Sequence, residues 1–144
     1  MWAKYNKKDF PNIIIKFGEK IENEEEFNSF LKEWVLLYDD KKEFNFIFDT
    51  RDVGTPRLSY VYKMRTFMKK IKQFPKQYLQ WSIIIVSNKY IRYLLNMVFM
   101  VQAPIATVYI YDISTKQTNN NEDIDYKYLI ENKDDKELFT IIKP

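Results

Sequence analysis

Apolar runs with the period of a strand alternate along this chain with stretches that carry the period of a helix. Asn12 to Phe17 includes Ile13, Ile14 and Ile15, a continuous β-branched run of the kind favoured by strands buried on both faces, and predicts a strand ending at Gly18. Asn23 followed by Glu26 has capping-box spacing, and Glu24 and Glu25 place negative charge where a helix N-terminus is positive. Phe27, Phe30, Leu31, Trp34, Val35 and Tyr38 then share one face at i, i+3, i+4, i+7 spacing, and the helix closes in the charged turn Asp39 to Lys42. Phe44 to Asp49 predicts a second strand, and Thr50 to Gly54 a polar loop.

Thr55-Pro56 reads as an N-cap followed by proline at the first helical position. From there to Phe74, Tyr60, Val61, Met64, Phe67, Met68 and Ile71 share an apolar arc, and Pro75 marks the end. Arg65, Lys69, Lys72 and Lys76 recur at i, i+4, i+7, i+11 and predict a basic stripe on another side of that helix. Trp81 to Val86 reads as a fully apolar third strand, and Ser87-Asn88 caps a third helix running to about Gln102.

That third helix has two apolar faces. Ile91, Leu94, Leu95 and Val98 form one, Tyr90, Tyr93, Met97 and Met100 the other, and only Lys89, Arg92 and Asn96 make a polar stripe. An element apolar nearly all round is covered on both sides or faces something other than water. Ala106 to Tyr111 predicts a fourth strand, residues 114 to 123 a flexible Asn-rich loop, Ile124 to Asn132 a short helix, and Leu138 to Ile142 a last strand or docked tail. Because strand and helix alternate, the prediction is one α/β domain over residues 1 to 144, with a mostly parallel sheet of four or five strands and crossover helices.

Charge changes the picture more than composition does. Between Val53 and Tyr111 there is no Asp or Glu, yet this segment holds Arg57, Lys63, Arg65, Lys69, Lys70, Lys72, Lys76, Lys89 and Arg92, in a chain whose net charge is only +3. Concentrated like charge raises the local potential and favours an anionic partner. Since the segment is also rich in apolar residues, the expectation is a basic and apolar face, with Arg65, Lys69, Lys72, Lys76, Lys89 and Arg92 meeting an anionic lipid or membrane surface. Tyr90, Tyr93, Met97 and Met100 would form an apolar gate or interface beside them, for lipid, a partner protein or a second copy of the chain. Nucleic acid is disfavoured, because the aromatic residues fall largely on faces predicted to be buried and no known module is present.

The chain has no Cys and no His, which excludes disulfides, thiolate catalysis, Cys/His zinc sites and imidazole chemistry. Gly18 and Gly54 are the only glycines, too few for a phosphate loop or a dinucleotide fingerprint. No metal, cofactor or catalytic residue is assigned, and the expectation is a non-enzymatic binding module. A cytoplasmic protein able to sit at the periphery of a membrane is expected, since Met1 to Asp9 lacks the apolar core of a signal peptide. Asp49, Asp52 and Thr55 form a candidate loop site at the C-terminal end of a central strand, where α/β sheets bind ligands. The plainer role for the same residues is that an Asp braces the loop and Thr55 caps the helix.

The segment Phe46-Ile-Phe-Asp-Thr-Arg-Asp-Val, the basic helix, Phe74-Pro-Lys-Gln-Tyr-Leu, Ile83-Ile-Ile-Val-Ser-Asn and the apolar helix before Pro104 resemble the later half of a CRAL-TRIO lipid-binding domain. The resemblance covers roughly residues 44 to 112, with Lys76 where that family carries an acidic residue. It implies a lipid pocket gated by the apolar helix. The same strand and helix order is similar to STAS domains, which implies a protein-interaction or regulatory module instead. In STAS regulators a phosphorylatable Ser beside an Asp begins the helix after the central strand, whereas this chain reads Gly54-Thr-Pro-Arg-Leu-Ser59 there. Both resemblances imply a SpoIIAA-like fold.

Overall fold

Strand pairing follows chain order. The computed structural model, which describes residues 1–115 and 123–144, contains a six-stranded sheet whose strands lie side by side in sequence order. They are β1 (Ala3–Asn6), β2 (Asn12–Phe17), β3 (Phe44–Asp49), β4 (Leu79–Val86), β5 (Thr107–Asp112) and β6 (Thr140–Ile142). β2 through β5 are parallel, and β1 and β6 run antiparallel at the two edges. The sheet is thus mostly parallel, as expected, but it has six strands rather than four or five. The strand missed is β1: its four residues alternate Ala3 and Tyr5 inward with Lys4 and Asn6 outward, a pattern too short to stand out.

The parallel strands are joined by α1 (Glu24–Leu36), α2 (Leu58–Ile71) and α3 (Lys89–Val101). Successive crossovers that step in one direction with one hand put their helices on one face of the sheet. Accordingly Phe30 and Trp34 of α1, Phe67 and Ile71 of α2, and Ile91 and Leu94 of α3 share a core with Phe46, Phe48, Ile84, Val86 and Ile110. The alternate strand residues, Ile47, Ile83, Ile85 and Tyr109, point the other way. They are covered by Leu129 of a short helix α4 (Tyr126–Glu131), by Phe139 and by Ile113. The continuous Ile runs of β2 and β4 therefore reflect burial on both faces.

Local signals explain most element ends. Asn23 accepts from the Glu26 N–H at 3.1 Å and caps α1, while the Glu26 carboxylate accepts from the Glu22 N–H. Asn88 caps α3 by accepting from the Tyr90 N–H at 2.7 Å. The start of α2 departs from expectation: it begins at Leu58 after an extended Arg57, with no side-chain cap, and Thr55 is exposed upstream. Pro56 instead packs into the apolar space beneath the helices. The helix also stops at Ile71, short of Phe74, so Lys72 is its C-cap and Lys76 lies in the turn beyond. Of the expected flexible loop, Ser114 and Thr115 belong to a 3-10 turn over Ile113–Thr115 and residues 116–122 lie outside the described residues.

Candidate functional site

The loop after β3 does not assemble the three residues singled out there. Asp49 faces the side of the sheet covered by α4, is 5% exposed, and is fully engaged. Its carboxylate accepts from Arg51 Nε at 2.9 Å and Arg51 Nη2 at 2.7 Å, from the Arg51 backbone N–H, and from Tyr126 Oη at 2.6 Å. Burial pushes the Asp49 carboxyl up, but the hydrogen bonds from Arg51 and Tyr126 outweigh it and hold it below the usual carboxylate range. A carboxylate so satisfied braces structure rather than moving protons. Asp52 and Thr55 are exposed in the following loop. Among the described residues, no group of three or more acidic side chains is placed to hold a metal ion.

The predicted basic face is divided between two ends of the molecule. Both α2 and α3 run back across parallel strands, so they start at the C-terminal edge of the sheet and finish at its N-terminal edge. Lys89 and Arg92 in the first turn of α3 therefore sit at one edge, and Lys69, Lys72 and Lys76 around the end of α2 at the other. A 14-residue helix such as α2 is roughly 21 Å long, which sets the scale of their separation. Arg92 lies 4.0 Å from Asp112, Arg65 stacks over Tyr62 at 5.4 Å, and Lys76 over Tyr78 at 5.3 Å. Lys69 and Lys72 are exposed and make no ion pair among the described residues. Lysine there also suits the negative end of the α2 dipole.

The second apolar face of α3 is open. Tyr93 is 59% and Met100 86% exposed, and Tyr90, Met97 and Val101 are exposed beside them. Leu129 and Phe139 of the C-terminal segment do not cover this face, because they pack on the opposite side of the sheet. Because α3 ends at the same edge as α2, Met97, Met100 and Val101 stand at the edge that carries Lys69, Lys70, Lys72 and Lys76. Asp39, Asp40 and Glu43 reach this edge only on the α1 side, with Lys41 and Lys42 among them.

Sequence reading missed one feature of the helix-covered face. An apolar cavity of about 210 Å³, partly open to solvent, lies between the helices and the sheet. Phe48, Ser82, Ile84 and Val108 form its floor, Met64 and Met68 of α2 and Leu95 and Phe99 of α3 its roof, and Trp2 and Trp34 its far wall. One signal could have found it: Ser82 interrupts a strand read as fully apolar, on the side that faces the helices.

Comparison with protein-family models, with curated proteins and with solved structures found no match.

Proposed function

We propose that this protein is a non-enzymatic binding module that docks on an anionic lipid surface through the edge where α2 and α3 end. One observation carries the reading: the fold brings Lys69, Lys70, Lys72 and Lys76 to the same edge as the exposed Met97, Met100 and Val101. Apolar side chains that enter an interface, flanked by lysines that meet lipid phosphates, are the two components of peripheral membrane binding. Each lysine near an anionic bilayer contributes on the order of 1 kcal/mol, so a cluster of three or four produces stable attachment. No helix among the described residues is long and apolar enough to cross a membrane. The accompanying fold assignment is a SpoIIAA-like domain, which the chain-ordered parallel strands and the common face of α1, α2 and α3 support.

Cosedimentation with vesicles tests the reading. Binding to phosphatidylserine vesicles should exceed binding to neutral phosphatidylcholine vesicles and weaken with salt, because charge attraction is screened over roughly 8 Å at physiological ionic strength. Equal binding to both at low salt would reject it. A second reading, a STAS-type interaction module, is favoured by the exposure of Tyr93 on α3, farther from the lysine edge. There a second copy or partner protein covers α3, and Tyr93→Lys would turn a dimer into a monomer on light scattering. A wild type that is already monomeric would remove the homodimer version.

A further inference from the structure

The cavity under the helices has a composition that selects its occupant. Its lining is apolar apart from three hydroxyl-bearing residues, Thr50, Ser82 and the half-buried Tyr60, and the indoles of Trp2 and Trp34. The Thr50 hydroxyl is committed, donating to the Ile85 carbonyl at 2.6 Å. Ser82, 4% exposed on the floor of the cavity, has no side-chain hydrogen bond among the described residues. Trp2 and Trp34 in the wall add two more uncommitted groups, since the indole N–H of each is buried without an acceptor. Buried polar groups are almost always paired, so three unpaired groups around one cavity call for a partner that enters it. No Lys, Arg, Asp or Glu lines the space, so a carboxylate or phosphate inside would lie uncompensated in apolar surroundings.

The shape adds a further restriction. The lining runs from Phe17 on β2 through Phe48 and Ile84 to Val108 on β5, three interstrand spacings or roughly 14 Å across the sheet. A somewhat smaller engineered apolar cavity, about 150 Å³, holds a single benzene ring. We propose that this cavity binds a neutral single-chain amphiphile, an alkyl chain ending in one uncharged oxygen, with Ser82 as the hydrogen-bonding partner of that oxygen. No lysine lines the cavity and its occupancy can be read in solution without vesicles, so the proposal does not rest on membrane attachment.

The full chain, delipidated in organic solvent and refolded, is titrated with a neutral naphthylamine dye, which is then displaced by 1-decanol or by decanoate. Displacement by 1-decanol should saturate and should alter the emission of Trp2 and Trp34, which line the cavity. Decanoate should compete at least about tenfold more weakly, as the cost of burying an unpaired charge requires. Ser82→Ala should weaken 1-decanol about fivefold, the equivalent of one hydrogen bond, while leaving dye affinity unchanged. Ser82→Phe fills the floor and should abolish displacement without lowering the melting temperature. If Ser82→Phe does not fold, Leu95→Trp blocks the same space from α3. Absence of saturable displacement, decanoate competing as well as 1-decanol, or wild-type affinity in the filled variant that folds would each overturn the proposal.

Discussion

The Tyr126 hydroxyl donates to Asp49 Oδ2 at 2.6 Å, joining residues 77 positions apart. Through this bond the short C-terminal helix is tied to the end of a central strand, above the apolar layer of Ile47, Ile85 and Leu129. Tyr126→Phe deletes one hydrogen bond to a charged group and should cost about 2 kcal/mol. Asp49→Asn should cost more, about 3 kcal/mol, because it also leaves the Arg51 guanidinium without its carboxylate. Urea denaturation measures both. If Asp49 instead served a ligand in solution, its replacement would leave stability nearly unchanged.

Stability should fall in acid and in strong base for separate reasons. Burial raises the Asp49 carboxyl, but the bonds from Arg51 and Tyr126 bring its pKa in the folded state below its ordinary value. Its contribution is therefore fully present above the usual carboxylate range and is lost as pH falls through the lower folded value. Asp49→Asn should flatten that acid limb. Tyr38, buried beneath the α1 end, has its hydroxyl pushed up to about 12, and burial likewise raises Tyr5 and Tyr126. A raised folded value gives stability that is complete below the free tyrosine range near pH 10 and is lost as pH climbs through 12. Absorbance titration at tyrosinate wavelengths should show these three ionising last, together with unfolding.

Capping residues should divide sharply. Asn88→Ala removes the acceptor for the Tyr90 N–H and should cost about 1 kcal/mol. Thr55→Ala should fall within about 0.5 kcal/mol of wild type, because Thr55 is exposed and caps nothing. Thermal melts of the two variants side by side decide this, and a large loss in Thr55→Ala would contradict the observed start of α2.

Separating the basic residues into two edges makes them distinguishable. Charge reversal at Lys69 and Lys72 should abolish vesicle binding with the melting temperature retained, whereas Lys89→Glu, at the opposite edge, should leave binding within about twofold. Equal losses from both changes would place the lipid contact elsewhere, along the length of α2 and α3.

Period alone located β2, β3, β4, β5 and all three crossover helices, because each buries a face wide enough to impose its spacing on the sequence. Side-chain caps were legible at Asn23 and Asn88, where an Asn precedes an apolar period. The Thr55-Pro56 signal misled because the proline is used for packing in the cavity rather than to start a helix. The evenly spaced lysines suggested one stripe, but the spacing has meaning only while the helix continues, and it stops at Ile71. Neither the Asp49 to Tyr126 bond nor the cavity has any local signature: each arises from elements far apart in sequence, and Ser82 alone hinted at the second.

Six strands laid down in chain order have a consequence for how the protein is made. As the ribosome extrudes the chain, each new strand finds its neighbour already present, and each crossover helix can settle on a finished pair. Pairings between sequence neighbours are the fast ones. The opposite face has no such luck: Ile47, Ile83, Ile85 and Tyr109 stay bare until Leu129 and Phe139 have been synthesised. Nascent chains arrested after Thr115 should therefore bind hydrophobic dyes and chaperones strongly, and release them once residue 144 has cleared the exit tunnel. The segment that contributes least to the sheet thus sets the moment at which the whole domain becomes safe from aggregation.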